Sequence, residues 1–461
     1  MLADKLKYYF DFDTFRPGQA ETIHALLTGR DTLTQLPTGT GKSLCYQLTG
    51  YLTEGLVLVV SPLISLMEDQ VQSLQRMGEK RVTLLNSTLL ASEKQFILTH
   101  LAHYKFLFLS PEMLQNEHVL ARLQQQKIAL FVVDEAHCIS QWGMDFRPEY
   151  RQLGWVKKLL GNPVTLALTA SATPEVRQDI QQILFANQGV EFVYSVDRPN
   201  VGLFVYQTTD KMAQLQAILP SDEATIIYCA TRKTVEELYE KLRTTVKVGY
   251  YHGGLTAGER SLLQQQFQRN QLQLLIATNA FGMGINKPDI RYVIHYDVPD
   301  SLENYVQEIG RAGRDGNPSY AILLYREQDE HIHHFFQENL MVERVRLEYE
   351  QQQIDGDSRP IDSLQTKWQA QQATNPNFME QLKYHEQQKK KKLSQMIAYI
   401  HETTCRRQFI LRYFDEAIMV NSTNCCDLHG MILPKRKPSL RIVEKEQEEW
   451  KEILKKIFKD V

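Results

Sequence analysis

The residues that first suggest chemistry are Pro37-Thr38-Gly39-Thr40-Gly41-Lys42-Ser43, which follow an apolar run and precede a helical pattern. That is the context in which a glycine-rich loop cradles phosphate. Gly39 and Gly41, with Thr38 and Thr40 beside them, let the backbone curl until its N–H groups converge on an anion. Lys42 then reaches the β- and γ-phosphates, and Ser43 offers its hydroxyl to Mg2+. Leu36 stands where the strict form of this loop has its first glycine. A second element completes the chemistry. The apolar run Ala129–Val133 ends in Asp134-Glu135-Ala136-His137, and a carboxylate at the C-terminal end of a strand suits Mg2+ held opposite a phosphate loop. Asp134 is expected to hold the ion through water and Glu135 to orient or deprotonate the attacking water. His137 is expected to sense the γ-phosphate or a neighbouring domain. Both halves in this order point to nucleoside triphosphate hydrolysis, in which positioning and electrostatics supply most of the catalysis. A glycine-rich turn capped by a helix explains the first half alone and leaves the second unexplained.

A third cluster lies far downstream. Cys405 is followed by Cys425, Cys426 and His429, and four soft or borderline ligands in this arrangement suit tetrahedral Zn2+. The metal would contribute folding energy to a small unit with little core of its own. Three buried cysteines with a surface histidine is the alternative. Arg406 and Arg407 beside the first cysteine can contact a DNA backbone or form internal ion pairs.

The elements that must position these groups are legible as periodicity. Thr32–Leu36, Leu56–Val60, Val82–Leu85, Phe106–Leu109, Leu130–Val133 and Val164–Leu168 are short, near-continuous apolar runs separated by helical segments. Runs of this kind suit parallel strands buried on both faces. A second set follows in Thr225–Cys229, Val246–Tyr250, Leu274–Ala277, Tyr292–Tyr296 and Tyr320–Leu324, with Asp197-Arg198-Pro199-Asn200 as the linker. The expectation is an α/β protein with two parallel-sheet domains facing across a cleft, residues 1–196 and 197–332. A helical zinc-binding subdomain is expected over 333–432, and an amphipathic helical tail over 433–461. Lys389–Lys392 reads as a solvated helix face, with phosphate contact as the alternative.

With these motifs in order, the chain resembles superfamily 2 helicases and, within them, the RecQ family of DNA helicases, over roughly residues 5 to 430. The resemblance implies that the two sheets are RecA-like domains and that the activity is ATP-dependent 3′→5′ unwinding of DNA in recombination and repair. Phe12-Asp13-Thr14-Phe15-Arg16-Pro17-Gly18-Gln19 looks like the family's adenine-recognition motif. It implies ATP over GTP, with Gln19 in a bidentate contact to the base and Phe12 and Arg16 on its faces. Cys138 to Tyr150 looks like the family's aromatic-rich loop, which couples single-stranded DNA binding to hydrolysis. This implies DNA contacts by Ser140, Gln141, Trp142, Phe146 and Arg147; Met144 stands where the family usually has histidine. Ser171-Ala172-Thr173 resembles the motif linking hydrolysis to domain closure. In the second domain, the motifs around Arg232, His252 and Thr278 match nucleic-acid-contacting segments. Gln307-Glu308-Ile309-Gly310-Arg311-Ala312-Gly313-Arg314 is the most specific match. Arg311 and Arg314, three apart on an expected helix face, are placed to reach the γ-phosphate from across the cleft with Gln307 alongside. Relatives often continue with a winged-helix domain and a small helical domain, for which this chain has no room after its zinc cluster.

Composition bounds the rest. With 43% hydrophobic and 23% charged residues in 461, the chain is an ordinary globular protein, expected to hold about three domains. The longest candidate span, Gly55 to Met67, is broken by Ser61, Pro62 and Ser65, so no membrane association is expected. Nor does the N-terminus show a secretory leader. A net charge of −3 from 52 basic and 55 acidic residues argues against a basic coat protein and leaves room for a local basic groove. Scattered cysteines fit a reducing compartment. With the family resemblance, these imply a cytoplasmic, bacterial-type, nucleoid-associated monomer. It would use ATP, Mg2+ and Zn2+ on single-stranded and forked or tailed duplex DNA, with repair proteins docking on the tail. An RNA helicase, or a translocase or annealing protein without strong unwinding, are the competing readings.

Overall fold

The computed structural model describes residues 2–140, 148–220, 222–281, 287–352, 378–417 and 425–434. Gln141, Trp142, Met144, Phe146 and Arg147 of the expected aromatic-rich loop lie outside the described residues, as does the tail beyond residue 434.

Strands β1 (Thr32–Gln35), β2 (Leu56–Val60), β3 (Val82–Leu85), β4 (Phe106–Leu109), β5 (Ile128–Val133), β6 (Thr165–Thr169) and β7 (Val190–Val193) form one sheet, ordered β3-β4-β2-β5-β6-β1-β7. Every pairing in it is parallel. The interior runs are buried without a break, as in Leu56–Val60, because helices cover both faces. In this order β1 and β5 flank β6, so the segments leaving their C-terminal ends face one another across the end of β6.

The second sheet holds β8 (Val201–Gln207), β9 (Thr225–Tyr228), β10 (Val248–Tyr251), β11 (Leu274–Ala277), β12 (Tyr292–His295) and β13 (Ser319–Tyr325), ordered β10-β11-β9-β12-β13-β8 and again parallel. β7 and β8 are absent from the periodicity reading. β7 alternates half-buried and exposed positions, as an edge strand does, and Gly202 interrupts the apolar run of β8.

Beyond β13 the chain is helical, with His331–Gln352 packing on Phe378–Ile400. Arg344 Nε reaches Glu386 Oε1 across that contact at 2.8 Å. Among the described residues, the zinc cluster shares a core with the second sheet. Met396, Tyr399, Ile400, Cys405, Ile410, Leu411, Phe414, Cys425 and Cys426 are buried in one cluster with the second sheet's Leu203, Val205 and Leu323. Each large apolar side chain so buried contributes about 2 kcal/mol. The last described segment lies along β8, where Leu203 bridges Cys426 and Val205 N donates to Asp427 Oδ2 at 3.0 Å.

Candidate active site

The phosphate loop leaves β1 and folds back on itself. Thr40 Oγ1 donates to Pro37 O at 2.7 Å, and Gly39 and Gly41 take φ of +85° and +78°, conformations that only glycine adopts cheaply. The helix Ser43–Leu52 begins directly after Lys42, so its first N–H groups point into the loop. Lys42 Nζ lies 4.0 Å from Glu135 Oε1.

Glu135 itself is in the left-handed region at φ 48°, which costs about 1–2 kcal/mol for a residue with a Cβ. Glu135 Oε2 is buried and accepts no hydrogen bond, with His137 Nδ1 3.4 Å away. His137 Nδ1 also lies 3.0 Å from Thr169 Oγ1 at the end of β6. Burial and the Glu135 carboxylate push Asp134 up to about 7 against the pull of Lys42. Burial opposes ionisation of Glu135 too, but Lys42, His137 and the two arginines beyond outweigh it and hold that carboxyl below its usual value. Burial lowers the His137 imidazole despite Glu135 beside it. The pocket therefore holds an ionised acceptor at Glu135 and a carboxyl at Asp134 that ionises easily only beside a cation. The orphaned Glu135 Oε2, on a carboxylate whose other oxygen faces Lys42, and the Asp134 carboxyl beside it fit a site for Mg2+ and its nucleotide.

The expected adenine-reading residues are drawn to the same loop. Gln19 is 3% exposed, and its Nε2 donates to Thr40 O at 2.9 Å and Gly41 O at 3.1 Å, while its Oε1 accepts from Arg16 N at 2.9 Å. Arg16 Nη1 donates to Gly39 O at 2.6 Å. Phe12 stays exposed. Gln19 and Arg16 thus brace the phosphate loop from behind, a tie that spacing alone did not reveal.

The second domain closes the cleft. A Cβ at Gly310 would sit 3.0 Å from Thr38 Oγ1, and one at Gly39 would sit 2.8 Å from Arg314 Cγ. One expectation is corrected here. Arg311 and Arg314 do not share a helix face, because the helix Leu302–Ile309 ends at Gly310 and both arginines lie in the turn that follows. Gln307 is on that helix and borders the cleft with Thr38 and Ser171. Arg311 is buried, and burial, Arg311 and Arg198 together lower the Arg314 guanidinium to about 9.

Arg232, His252 and Thr278 gather at one end of the second sheet, just after β9, β10 and β11. Arg232 and His252 both border the Gly253–Gly254 corner, and His252 Nε2 lies 3.2 Å from Glu236 Oε1. Ser140 ends a short turn whose N–H donates to His137 O at 3.0 Å.

Cys405, Cys425, Cys426 and His429 converge, with their ligand atoms all within 4.8 Å of one another. Cys405 Sγ to Cys425 Sγ is 3.6 Å, Cys425 Sγ to Cys426 Sγ 3.8 Å, and Cys425 Sγ to His429 Nδ1 3.0 Å. A tetrahedron with Zn–S bonds of about 2.3 Å has edges of about 3.8 Å, so the donor set fits Zn2+.

The family models agree with this layout. The DEAD/DEAH box helicase model matches residues 16–181, the helicase conserved C-terminal domain model residues 210–316, and the RecQ zinc-binding model residues 363–429. A Bacillus subtilis (strain 168) protein named probable ATP-dependent DNA helicase RecS is 43% identical over 458 residues, covering 94% of this chain and 92% of that protein. The chain belongs to the RecQ family. Within it, the ATP-dependent DNA helicase RecQ of Haemophilus influenzae is 37% identical over 91% of this chain, which spans 62% of that longer relative. Among solved structures, Saccharomyces cerevisiae Dbp5 bound to RNA and ADP BeF3 shares the fold. Its TM-score is 0.60 at 24% identity, covering 71% of this chain and 88% of that one. As a RecQ-family chain with both helicase domains and the zinc-binding region, the protein takes ATP with Mg2+ and Zn2+. No helix among the described residues is long and apolar enough to cross a membrane.

Proposed function

We propose that this chain is an ATP-dependent 3′→5′ DNA helicase that translocates on single-stranded DNA and unwinds duplexes in recombination and repair. The observation that carries the reading is the meeting of the phosphate loop and the Arg311–Arg314 turn in one cleft, where Gly39 touches the Arg314 side chain. In the mechanism this supports, the phosphate-loop N–H groups and Lys42 bind the β- and γ-phosphates. Mg2+ beside Ser43 and Asp134 would neutralise charge on the phosphate oxygens. Glu135, held ionised, accepts a proton from the attacking water or orients it. Arg311 and Arg314 stabilise charge that develops as the bond to the γ-phosphate breaks, so hydrolysis requires a closed cleft. His137 and Gln307, either side of the cleft, carry the state of the phosphate to the other domain. Alternation between closed and open forms moves the chain along a strand held by Arg232, His252 and Thr278. The aromatic-rich loop of Ser140, Gln141, Trp142, Phe146 and Arg147 reports that strand to the acidic box. Such contacts are sequence-independent and weaken with salt.

The same reading takes residues 1–196 and 197–332 as the two motor domains and 333–432 as the zinc-binding subdomain. It places the protein as a monomer at the nucleoid, with repair proteins meeting the segment after residue 432. The test is ATP-dependent displacement from a short duplex carrying a 3′ single-stranded tail, with 5′-tailed and RNA duplexes alongside and Lys42→Ala as control. Displacement of the 3′-tailed DNA by wild type alone supports the proposal. DNA-stimulated hydrolysis without displacement replaces it with a translocase, and preference for RNA overturns it.

A further inference from the structure

Arg198 lies in the linker between β7 and β8, and its guanidinium is spent on backbone carbonyls from both sides of the cleft. Nη1 donates to Thr38 O at 3.0 Å and Gly310 O at 3.1 Å, and Nη2 to Ala312 O at 3.0 Å and Gly313 O at 2.7 Å. Thr38 belongs to the phosphate loop. Gly310 is the C-cap of Leu302–Ile309, whose carbonyl has no intrahelical partner, and Ala312 and Gly313 belong to the turn that follows it. Only a planar fork can satisfy acceptors placed this way; an ammonium group on a flexible stem cannot.

The linker is itself gripped from the zinc subdomain. Arg407, 8% exposed, donates through Nη1 to Arg198 O at 3.0 Å and through Nη2 to Val201 O at 2.6 Å, and pairs with Asp197. Arg407 is the second residue of the helix Arg406–Tyr413, whose N-cap is Cys405. Its neighbour Arg406 binds Asp427 at 2.7 Å, next to Cys426. From the other side, Glu416 Oε1 accepts from Val196 N at 2.8 Å. A cavity of about 30 Å3 at this junction, bordered by Thr38, Arg198, Gly310 and Arg407, is large enough for a water.

We propose that Arg198 is a positioning residue that ties the phosphate loop to the Arg311–Arg314 turn when the cleft closes, and that the zinc subdomain holds it in place through Arg407. This rests on the ATP-driven reading above. Opening the cleft removes the Thr38 contact and leaves the three contacts within the second domain. Arg198 therefore holds the arginine turn in both forms and joins it to the phosphate loop only in the closed one. Its effect belongs to the hydrolytic step and not to nucleotide capture.

The test is steady-state, single-stranded-DNA-stimulated ATPase of the full chain for wild type, R198K, R407K and the double variant, with zinc content and thermal melting measured on each. R198K should lower kcat about ten-fold while KM for ATP stays within about two-fold. R407K should lower kcat about three-fold with zinc retained. The double variant should match R198K alone, because residues acting through one contact are not additive. Wild-type kcat in R198K, or a double variant whose loss is the product of the two, would overturn the proposal. So would loss of zinc or of the melting transition in R198K, which would make Arg198 a structural tie only. A wild-type chain without DNA-stimulated hydrolysis would instead refute the helicase reading, and the proposal with it.

Discussion

Replacing Lys392 by methionine separates two descriptions of the Lys389–Lys392 run. As a solvated face, the run tolerates any one substitution. In the structure Lys392 Nζ lies 3.1 Å from Glu303 Oε1, and the Glu303 side chain is 2% exposed against 24% for Lys392. Glu303 occupies the first turn of Leu302–Ile309, where the helix dipole favours negative charge, yet without its cation it keeps its desolvation cost. Removing one partner of a fully buried pair costs about 3–5 kcal/mol. Water reaches Lys392 in part, so the expected loss is about 2 kcal/mol. For a unit the size of the second domain with its helices, that lowers the melting temperature by about 4–8 °C. The control is Lys390→Met, at an exposed position of the same run, where a change under about 0.5 kcal/mol is expected. Adding Glu303→Gln to Lys392→Met should recover at least half the loss, since the buried charge is then gone. Scanning calorimetry on the zinc-loaded chain reads all three variants. Equal melting of Lys392→Met and Lys390→Met would refute the reasoning.

Gly39→Ala forces a left-handed conformation at φ +85° and sets a methyl group 2.8 Å from Arg314 Cγ; ATP turnover should fall about a hundred-fold, with a stability loss of only about 1–2 kcal/mol. His429→Cys should keep about one Zn2+ per chain after dialysis against a chelator, because four thiolates hold zinc equally well, whereas His429→Ala should keep about half or less. For Asp134, raised from 3.8 to about 7 by burial and Glu135, the sign of the pH effect follows directly. The folded state prefers the proton, so the stability this group contributes is present below its ordinary pKa and is lost as pH rises through about 7. Without Mg2+ or nucleotide, Asp134→Asn should therefore melt with wild type near pH 4 and above it at pH 8, by on the order of 2 kcal/mol, while abolishing hydrolysis. A wild-type protein that melts as high as the variant at pH 8 would contradict this.

The phosphate loop, the acidic box and the zinc ligands were legible because their chemistry demands particular residue types at strand ends or at close spacing. Central strands were legible because burial on both faces leaves an unbroken apolar run. What escaped was structure with no compositional mark. β7 alternates as edges do, and β8 is interrupted by Gly202. The spacing of Arg311 and Arg314 imitates a helix face although the helix stops at Gly310. Arg198 looked like one charge in a linker, since its partners are carbonyl groups that any residue would supply. In the four-lysine run, periodicity could not show that one lysine turns inward to a buried acid more than eighty positions earlier.

The contact between the zinc segment and β8 bears on synthesis. β8 is the border of its sheet, and Val205 N finds Asp427 across a separation of 222 residues. At about 5–20 residues per second, that border stands uncovered for roughly 10–45 s while the ribosome makes the rest. During that interval the outer edge of β8, already paired with β13 on its inner side, presents open backbone groups that another nascent chain can join. Zinc capture is then the last step in sealing the motor. A cell short of zinc would face the problem first as insoluble newly made protein, before any finished enzyme slowed.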